Sequence, residues 1–198
     1  MMFIESAIAV CVAYLFGSLS SAIIVCRVAG LPDPRTQGSQ NPGATNVLRI
    51  GGKLPAFITL FGDAVKGVIP ILMARALGFD TNILALVALA AFIGHLYPIF
   101  FGFKGGKGVA TLIGCLLALS LPTGACWLLT WLVVAILFRY SSLAALTASM
   151  LAPVYMWYFS ANDFYVAATL VMVGLVFIRH RGNIKKLLAG TENKIGKK

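Results

Sequence analysis

Apolar residues run along this chain in long blocks separated by polar clusters, at about 3–26, 54–74, 84–101, 109–121, 123–138, 141–160 and 164–178. A helix needs roughly 20 residues to cross about 30 Å of hydrocarbon, and the fourth, fifth and seventh blocks fall short of that. Blocks so long and so numerous exceed what one soluble core can bury. The pattern therefore predicts an all-α membrane protein, a polytopic bundle of about seven transmembrane helices forming one domain over residues 1–198. Composition agrees: 60% of residues are hydrophobic and 11% charged, against about 25% charged in soluble domains. The mean hydropathy is +0.92.

Charge then orders the blocks. Basic residues crowd three loops, 27–53 (Arg27, Arg35, Arg49, Lys53), 102–108, and 179–198, which includes Lys194, Lys197 and Lys198; Arg139 marks a fourth. The intervening connections carry Asp80 and Asp163, and no base beyond Arg75. Cytoplasmic loops of membrane proteins are enriched in Lys and Arg, which puts the N-terminus outside and the C-terminus in the cytoplasm. Residues 102–108 and Arg139 then share a side, so residues 109–138 cross an even number of times, as two short helices or a re-entrant hairpin divided at Pro122. The first block carries Glu5 and no basic leader, and reads as an uncleaved span. Cys11, Cys26, Cys115 and Cys126 all fall in apolar blocks without ligand spacing and read as small buried hydrophobes. The net charge of +10 fits either attraction to anionic lipid or an anionic substrate.

Chemistry is concentrated between the blocks. Phe101-Gly-Phe-Lys-Gly-Gly-Lys-Gly-Val-Ala-Thr111 packs Lys104 and Lys107 among glycines, just before an apolar run expected to open a helix. Glycines let successive N–H groups converge into an anion-binding nest, and a helix N-terminus adds to it. The stretch is not a Walker loop, because Phe101 and Gly108 occupy positions where that pattern needs Gly and Ser or Thr. The loop Gly38-Ser-Gln-Asn-Pro-Gly-Ala-Thr-Asn-Val-Leu-Arg49 is dense in hydroxyls and amides. Arg49 can grip a phosphate through two parallel bonds, and Thr45 or Asn46 is expected to cap a short helix. An ordinary capped loop has the same composition. Asp63 and Lys66 lie inside the second block at spacing i, i+3, where they can pair, either as a structural ion pair or with Lys66 at the edge of an anion site. His95 precedes an aromatic belt, Tyr97 to Phe103. Ser142 sits in a small polar turn. Near the C-terminus, His180 and Asn183 share a helical face, and His180 between Arg179 and Arg181 prefers its neutral form. The segment also fits a basic membrane anchor. Neither histidine is followed by Asp in the H-x-x-x-x-D spacing of soluble-type acyltransferases, and no aspartate-rich cluster suggests a Mg²⁺-dependent transferase.

Taken in order, Gly38 to Arg49, Asp63-Ala-Val-Lys-Gly67, Gly94-His-Leu-Tyr-Pro98 to Thr111, and His180-Arg-Gly-Asn-Ile to Gly190-Thr-Glu192 resemble the bacterial acyl-phosphate:glycerol-3-phosphate acyltransferases over the whole chain. The resemblance implies a seven-helix inner-membrane enzyme with its active site on the cytoplasmic side. It implies transfer of a fatty acyl group from acyl-phosphate to the 1-position of glycerol 3-phosphate, giving lysophosphatidic acid and phosphate. No cofactor or metal is implied, nor any nucleic acid; the lipid bilayer and the enzyme that makes acyl-phosphate are the expected partners. On this reading Ser39, Arg49, His180 and Asn183 are catalytic. Asn41, Thr45, Asn46, Lys66, His95, Lys104, Gly105, Gly106, Lys107, Gly108 and Ser142 bind substrate, while Asp63 and Glu192 are structural. Ser39, Thr45, Arg49 and Ser142 are assigned to the acyl-phosphate head, and Lys104 to Gly108 with His180 and Asn183 to glycerol 3-phosphate. The proton acceptor is either His180 or a substrate phosphate. An organic-phosphate transporter is the alternative.

Overall fold

The computed structural model describes residues 2–196; Met1, Lys197 and Lys198 lie outside the described residues. Every regular element among them is helical. In chain order these are α1 (Met2–Gly17), α2 (Ser21–Val28), α3 (Ala44–Gly51), α4 (Lys53–Ala76), α5 (Thr81–Leu96), a 3₁₀ turn (Ile99–Phe101), α6 (Val109–Leu119), α7 (Leu121–Phe138), α8 (Ser141–Ser160), α9 (Asp163–Arg179) and α10 (Arg181–Leu188). Four of the helical stretches are long and apolar enough to cross a membrane: Lys53–Ala76, Thr81–Phe101, Leu121–Phe138 and Ser141–Ser160. The bent pairs α1–α2 (42°) and α9–α10 (60°) raise the count to six if each is one span, and α6 is a shorter apolar helix.

The first apolar block is thus not one straight helix. It breaks around Ser18 to Ser20, where Ser18 Oγ donates back to the Tyr14 carbonyl and Lys66 Nζ donates to the Leu19 carbonyl at 2.7 Å. A lysine from another helix satisfies the backbone group freed by the break, as an apolar setting requires. The second expected break, within residues 109–138, is present, but it falls at Ser120. Pro122 lies in the first turn of α7, where its missing N–H costs no intrahelical bond.

Helices α1 with α5, and α4 with α6, pack at close range because glycines sit at their crossings. A Cβ on Gly17 would strike the Ala91 carbonyl, one on Gly94 the Tyr14 carbonyl, and one on Gly114 the Ala64 carbonyl. Between them Phe92, Ile71, Leu96, Leu112 and Leu116 are fully enclosed. Large apolar side chains such as Phe57, Phe61, Leu129, Ile136, Leu137 and Trp157 point outward, as expected of a surface that faces lipid.

Candidate active site

The polar loops meet at one end of the bundle, and specific bonds bring them together. Arg35 forks onto Asp33 (2.7–3.1 Å), holding that carboxyl below the usual carboxylate range through its hydrogen bonds. The same guanidinium donates to the Phe101 carbonyl at 3.0 Å, which ties the loop before α3 to the loop before α6. Asn46 organises the first of these loops from below. Its side chain donates to the carbonyls of Pro34 (2.8 Å) and Gln37 (3.0 Å) and accepts from the Ser39 N–H (2.9 Å). Gly38 has φ +59° and no room for a Cβ against Asn46. The cap of α3 is Gly43, whereas Thr45 and Asn46 lie inside the helix, Thr45 and Arg49 exposed and Asn46 buried. Asn46 reaches back into the loop, which a capping role would have prevented.

The glycine loop rests on His95. The Gly106 N–H donates to the His95 carbonyl at 3.3 Å, and a Cβ on Gly106 would meet the His95 ring. A Cβ on Gly105 would strike the same carbonyl, so both positions require glycine for close approach. From the other side Arg179 donates to the carbonyls of Gly105 (2.6 Å) and Gly106 (3.1 Å), and its guanidinium lies over the Tyr97 ring, 5.6 Å from the centroid. The chain leaves the loop at Gly108 (φ +88°), which caps α6. Among the described residues no acceptor meets the N–H groups of Lys107 and Gly108. They stand free at a helix N-terminus, the arrangement that attracts anions.

Beneath His95 lies an ion pair. Lys66 Nζ is 2.8 Å from Asp63 Oδ1, with both side chains 4% exposed or less, and His95 Nδ1 is 3.7 Å from the same oxygen. Thr111 Oγ1 adds a bond to the Asp63 carbonyl, linking α6 to α4. The i, i+3 pair expected from sequence therefore exists, buried and closed by His95.

Lys107 opens a second network. Its Nζ donates to Asn183 Oδ1 (2.5 Å), Asn183 Nδ2 donates to Glu192 Oε1 (2.8 Å), and Ser142 Oγ donates to the same oxygen (2.9 Å). Ser142, buried, is thus held by Glu192. Burial lowers the Lys107 pKa from its usual value; Glu192 opposes this, and Lys186, Arg49 and Arg179 reinforce it. His180 occupies the joint between α9 and α10, just before α10 starts, and Asn183 follows in the first turn of α10. Its Nδ1 lies 2.8 Å from the Val176 carbonyl. A carbonyl only accepts, so Nδ1 carries the proton and Nε2 the lone pair. Burial above all, with Lys107 and Arg179 adding to it, pushes its pKa down to about 4.

Two adjoining clefts result. One, about 360 Å³, is lined by Ser39, Gln40, Asn41, Gly105, Lys107, Ile178, Arg179, Arg181, Gly182, Asn183 and Lys186. The other, about 300 Å³, is lined by Arg35, Gln40, Pro42, Phe103, Lys104, Gly105 and Arg179. The two donor patches expected from sequence are redistributed: Ser39 joins Lys107 and Asn183 in the first cleft, and Lys104 goes to the second. Ser142 lines neither. Arg35, Gln40, Arg179, Arg181 and Lys186 were not singled out from sequence. Arg179 had a signal, an arginine beside a histidine at the end of an apolar block, but a membrane anchor shows the same.

Fold and clefts together define an integral membrane protein that gathers cationic and N–H donors suited to anionic ligands at one end of its helices. Comparison with known proteins narrows this. The model of the glycerol-3-phosphate acyltransferase family matches residues 7–190. A glycerol-3-phosphate acyltransferase of Methylococcus capsulatus is 57% identical over 94% of both chains. One from Vibrio cholerae is 53% identical over 94% of this chain and 88% of its own. The crystal structure of PlsY, an integral membrane glycerol 3-phosphate acyltransferase in its glycerol 3-phosphate form, superposes with a TM-score of 0.92 at 39% identity, over 97% of this chain and 96% of that one. Its lysophosphatidic acid form gives 0.90 at 38% identity, with the same coverage. The chain belongs to the glycerol-3-phosphate acyltransferase family.

Proposed function

We infer that this protein transfers a fatty acyl group from acyl-phosphate to the 1-hydroxyl of glycerol 3-phosphate, giving lysophosphatidic acid and phosphate. The function rests on family membership, and one structural observation carries the mechanism: two clefts rich in cationic donors share a wall made by Gln40, Gly105 and Arg179. Two phosphate-bearing substrates seated there would have their reacting groups side by side, which converts an encounter into a positioned reaction. The cleft of Ser39, Lys107 and Asn183, with Lys186 and the nearby Arg49, suits glycerol 3-phosphate. The cleft of Arg35 and Lys104 suits the acyl-phosphate head, and Phe103 at its rim offers apolar surface to the chain.

In the reaction the 1-hydroxyl oxygen bonds to the acyl carbon, and the bond from that carbon to the phosphate oxygen breaks. Cationic and N–H donors stabilise the charge that develops. The hydroxyl proton goes to a substrate phosphate oxygen. Phosphate has a second pKa of about 6, so it accepts a proton more readily at neutral pH than His180, held at about 4. His180 serves as a neutral group at the base of the site. No enzyme nucleophile is required, because the acyl group arrives activated.

The basic loops belong on the cytoplasmic face, which gives seven crossings when α1–α2 counts as one and α6 as another, with the N-terminus outside. The bonds that join residues 35 and 101, 105–106 and 179, and 139 and 195 support a common face for these loops. On this reading the enzyme works in the bacterial cytoplasmic membrane and takes its acyl-phosphate from the enzyme that makes it. Purified protein given acyl-phosphate and radiolabelled glycerol 3-phosphate, without added metal, is expected to form lysophosphatidic acid. Product formed equally well from acyl-CoA alone would overturn the donor assignment.

A further inference from the structure

We propose that Arg179 is a positioning residue that locks the glycine loop into its anion-binding shape; the kinetic part of this proposal rests on the acyl-transfer reading above. Short glycine segments have little to hold them in one conformation, since glycine loses more backbone entropy on ordering than any other residue. Among the described residues Gly105 and Gly106 of this loop make one backbone bond toward the bundle, from the Gly106 N–H to the His95 carbonyl. Its outward carbonyls, Gly105 and Gly106, are both taken by one guanidinium. Only a planar fork can serve two successive carbonyls while its face lies on an aromatic ring; an ammonium is a point donor.

The backbone that carries this ring is itself tied to a second helix. Tyr97 caps α5, and its carbonyl accepts from the Tyr14 hydroxyl of α1 at 2.8 Å. The clamp therefore refers the loop to two helices at once, α9 through Arg179 and α5 through Tyr97 and His95. With both carbonyls drawn toward Arg179, the following N–H groups of Lys107 and Gly108 remain without an acceptor among the described residues. Arg179 also forms part of the wall between the two clefts. A direct charge role toward substrate is thus the competing explanation, and the two separate cleanly. If charge is what matters, Lys at this position suffices. If the fork matters, Lys fails as badly as an uncharged residue.

The test compares Arg179→Lys and Arg179→Gln with the unmodified protein in detergent. Trypsin cleavage after Lys104 and Lys107 reads loop opening without any substrate, and steady-state kinetics reads the site. Both variants are expected to be cut in this loop roughly tenfold faster, because local opening becomes easier. Both should raise KM for glycerol 3-phosphate roughly tenfold or more, the scale of losing hydrogen bonds from a charged donor, with kcat little changed. A Lys variant that matches the unmodified protein in either measurement overturns the clamp, as does a loss confined to kcat. Unmodified protein that fails to transfer from acyl-phosphate would instead sink the functional reading, leaving the trypsin result to decide the clamp.

Discussion

The trio of Asp63, Lys66 and His95 and the group around Lys107 are separated by little more than the glycine loop, yet they treat charge in opposite ways. In the trio each cation meets an anion or a carbonyl, and the whole is sealed from solvent. Around Lys107, cations outnumber anions among the described residues: Arg49, Arg179 and Lys186 crowd one lysine, and Glu192 opposes them. Closed ion pairs of the first kind hold helices together. An unbalanced set of donors with free N–H groups beside it is costly to keep and makes sense only where an anion completes it. Net charge distinguishes a structural cluster from a site where residue types do not.

The largest expected effect comes from opening the sealed cluster. Asp63→Ala leaves Lys66 buried without its partner and should cost about 3–5 kcal/mol of stability, read as a large drop in the thermal transition of the detergent-solubilised protein. Asp63→Ala combined with Lys66→Met should recover most of the loss. A double variant as weak as the single one would show that the pair does not hold the helices.

His180, beside the open group, makes stability depend on pH. Its folded pKa, about 4, lies below the ordinary value near 6.5, so the unfolded chain binds more protons between those limits. The stability it contributes is complete above about pH 6.5 and is lost as pH falls toward 4, up to ~3 kcal/mol in all. Thermal scans across this range should show a steeper decline than for His180→Gln. Parallel declines would mean that His180 is not buried neutral.

On the open side, Lys107→Ala should raise KM for glycerol 3-phosphate roughly 10- to 100-fold, the loss of a contact to a charged donor, and leave the thermal transition near its original value. Unchanged kinetics would remove Lys107 from the site. Lys104 is exposed, and among the described residues its ammonium meets no acceptor. Lys104→Ala should change KM for acyl-phosphate by less than about fivefold, as expected of a solvated charge. A larger effect on glycerol 3-phosphate than on acyl-phosphate would reverse the assignment of the two clefts.

Local patterns in the sequence were the readable ones. Block lengths placed most of the helices, the i, i+3 spacing predicted the contact of Asp63 with Lys66, and glycines with lysines marked the loop. Each of these depends on neighbours within a turn or two. The bend after Gly17 was hidden because the lysine that satisfies Leu19 comes from 47 positions away. Ser142 looked free to bind substrate because its partner, Glu192, is 50 residues distant. Arg179 looked like one more anchoring base because nothing nearby shows that it reaches Gly105, 74 residues back. Such long-range hydrogen bonds follow from how the helices pack, and a residue's type does not reveal them.

Helix α6 has 11 residues, hence a length of about 16 Å, roughly half the thickness of the hydrocarbon layer. On the seven-crossing topology proposed above, with its far end at the outer boundary, its first turn would end well short of the inner one. The glycine loop would then form the floor of a well sunk into the inner leaflet. A fatty acyl-phosphate lying in that leaflet would keep its carboxyl carbon near this depth and enter sideways without leaving the lipid, while a small hydrophilic acceptor would descend from the water above. On that topology one truncated helix would let a single site draw its two reactants from two immiscible phases.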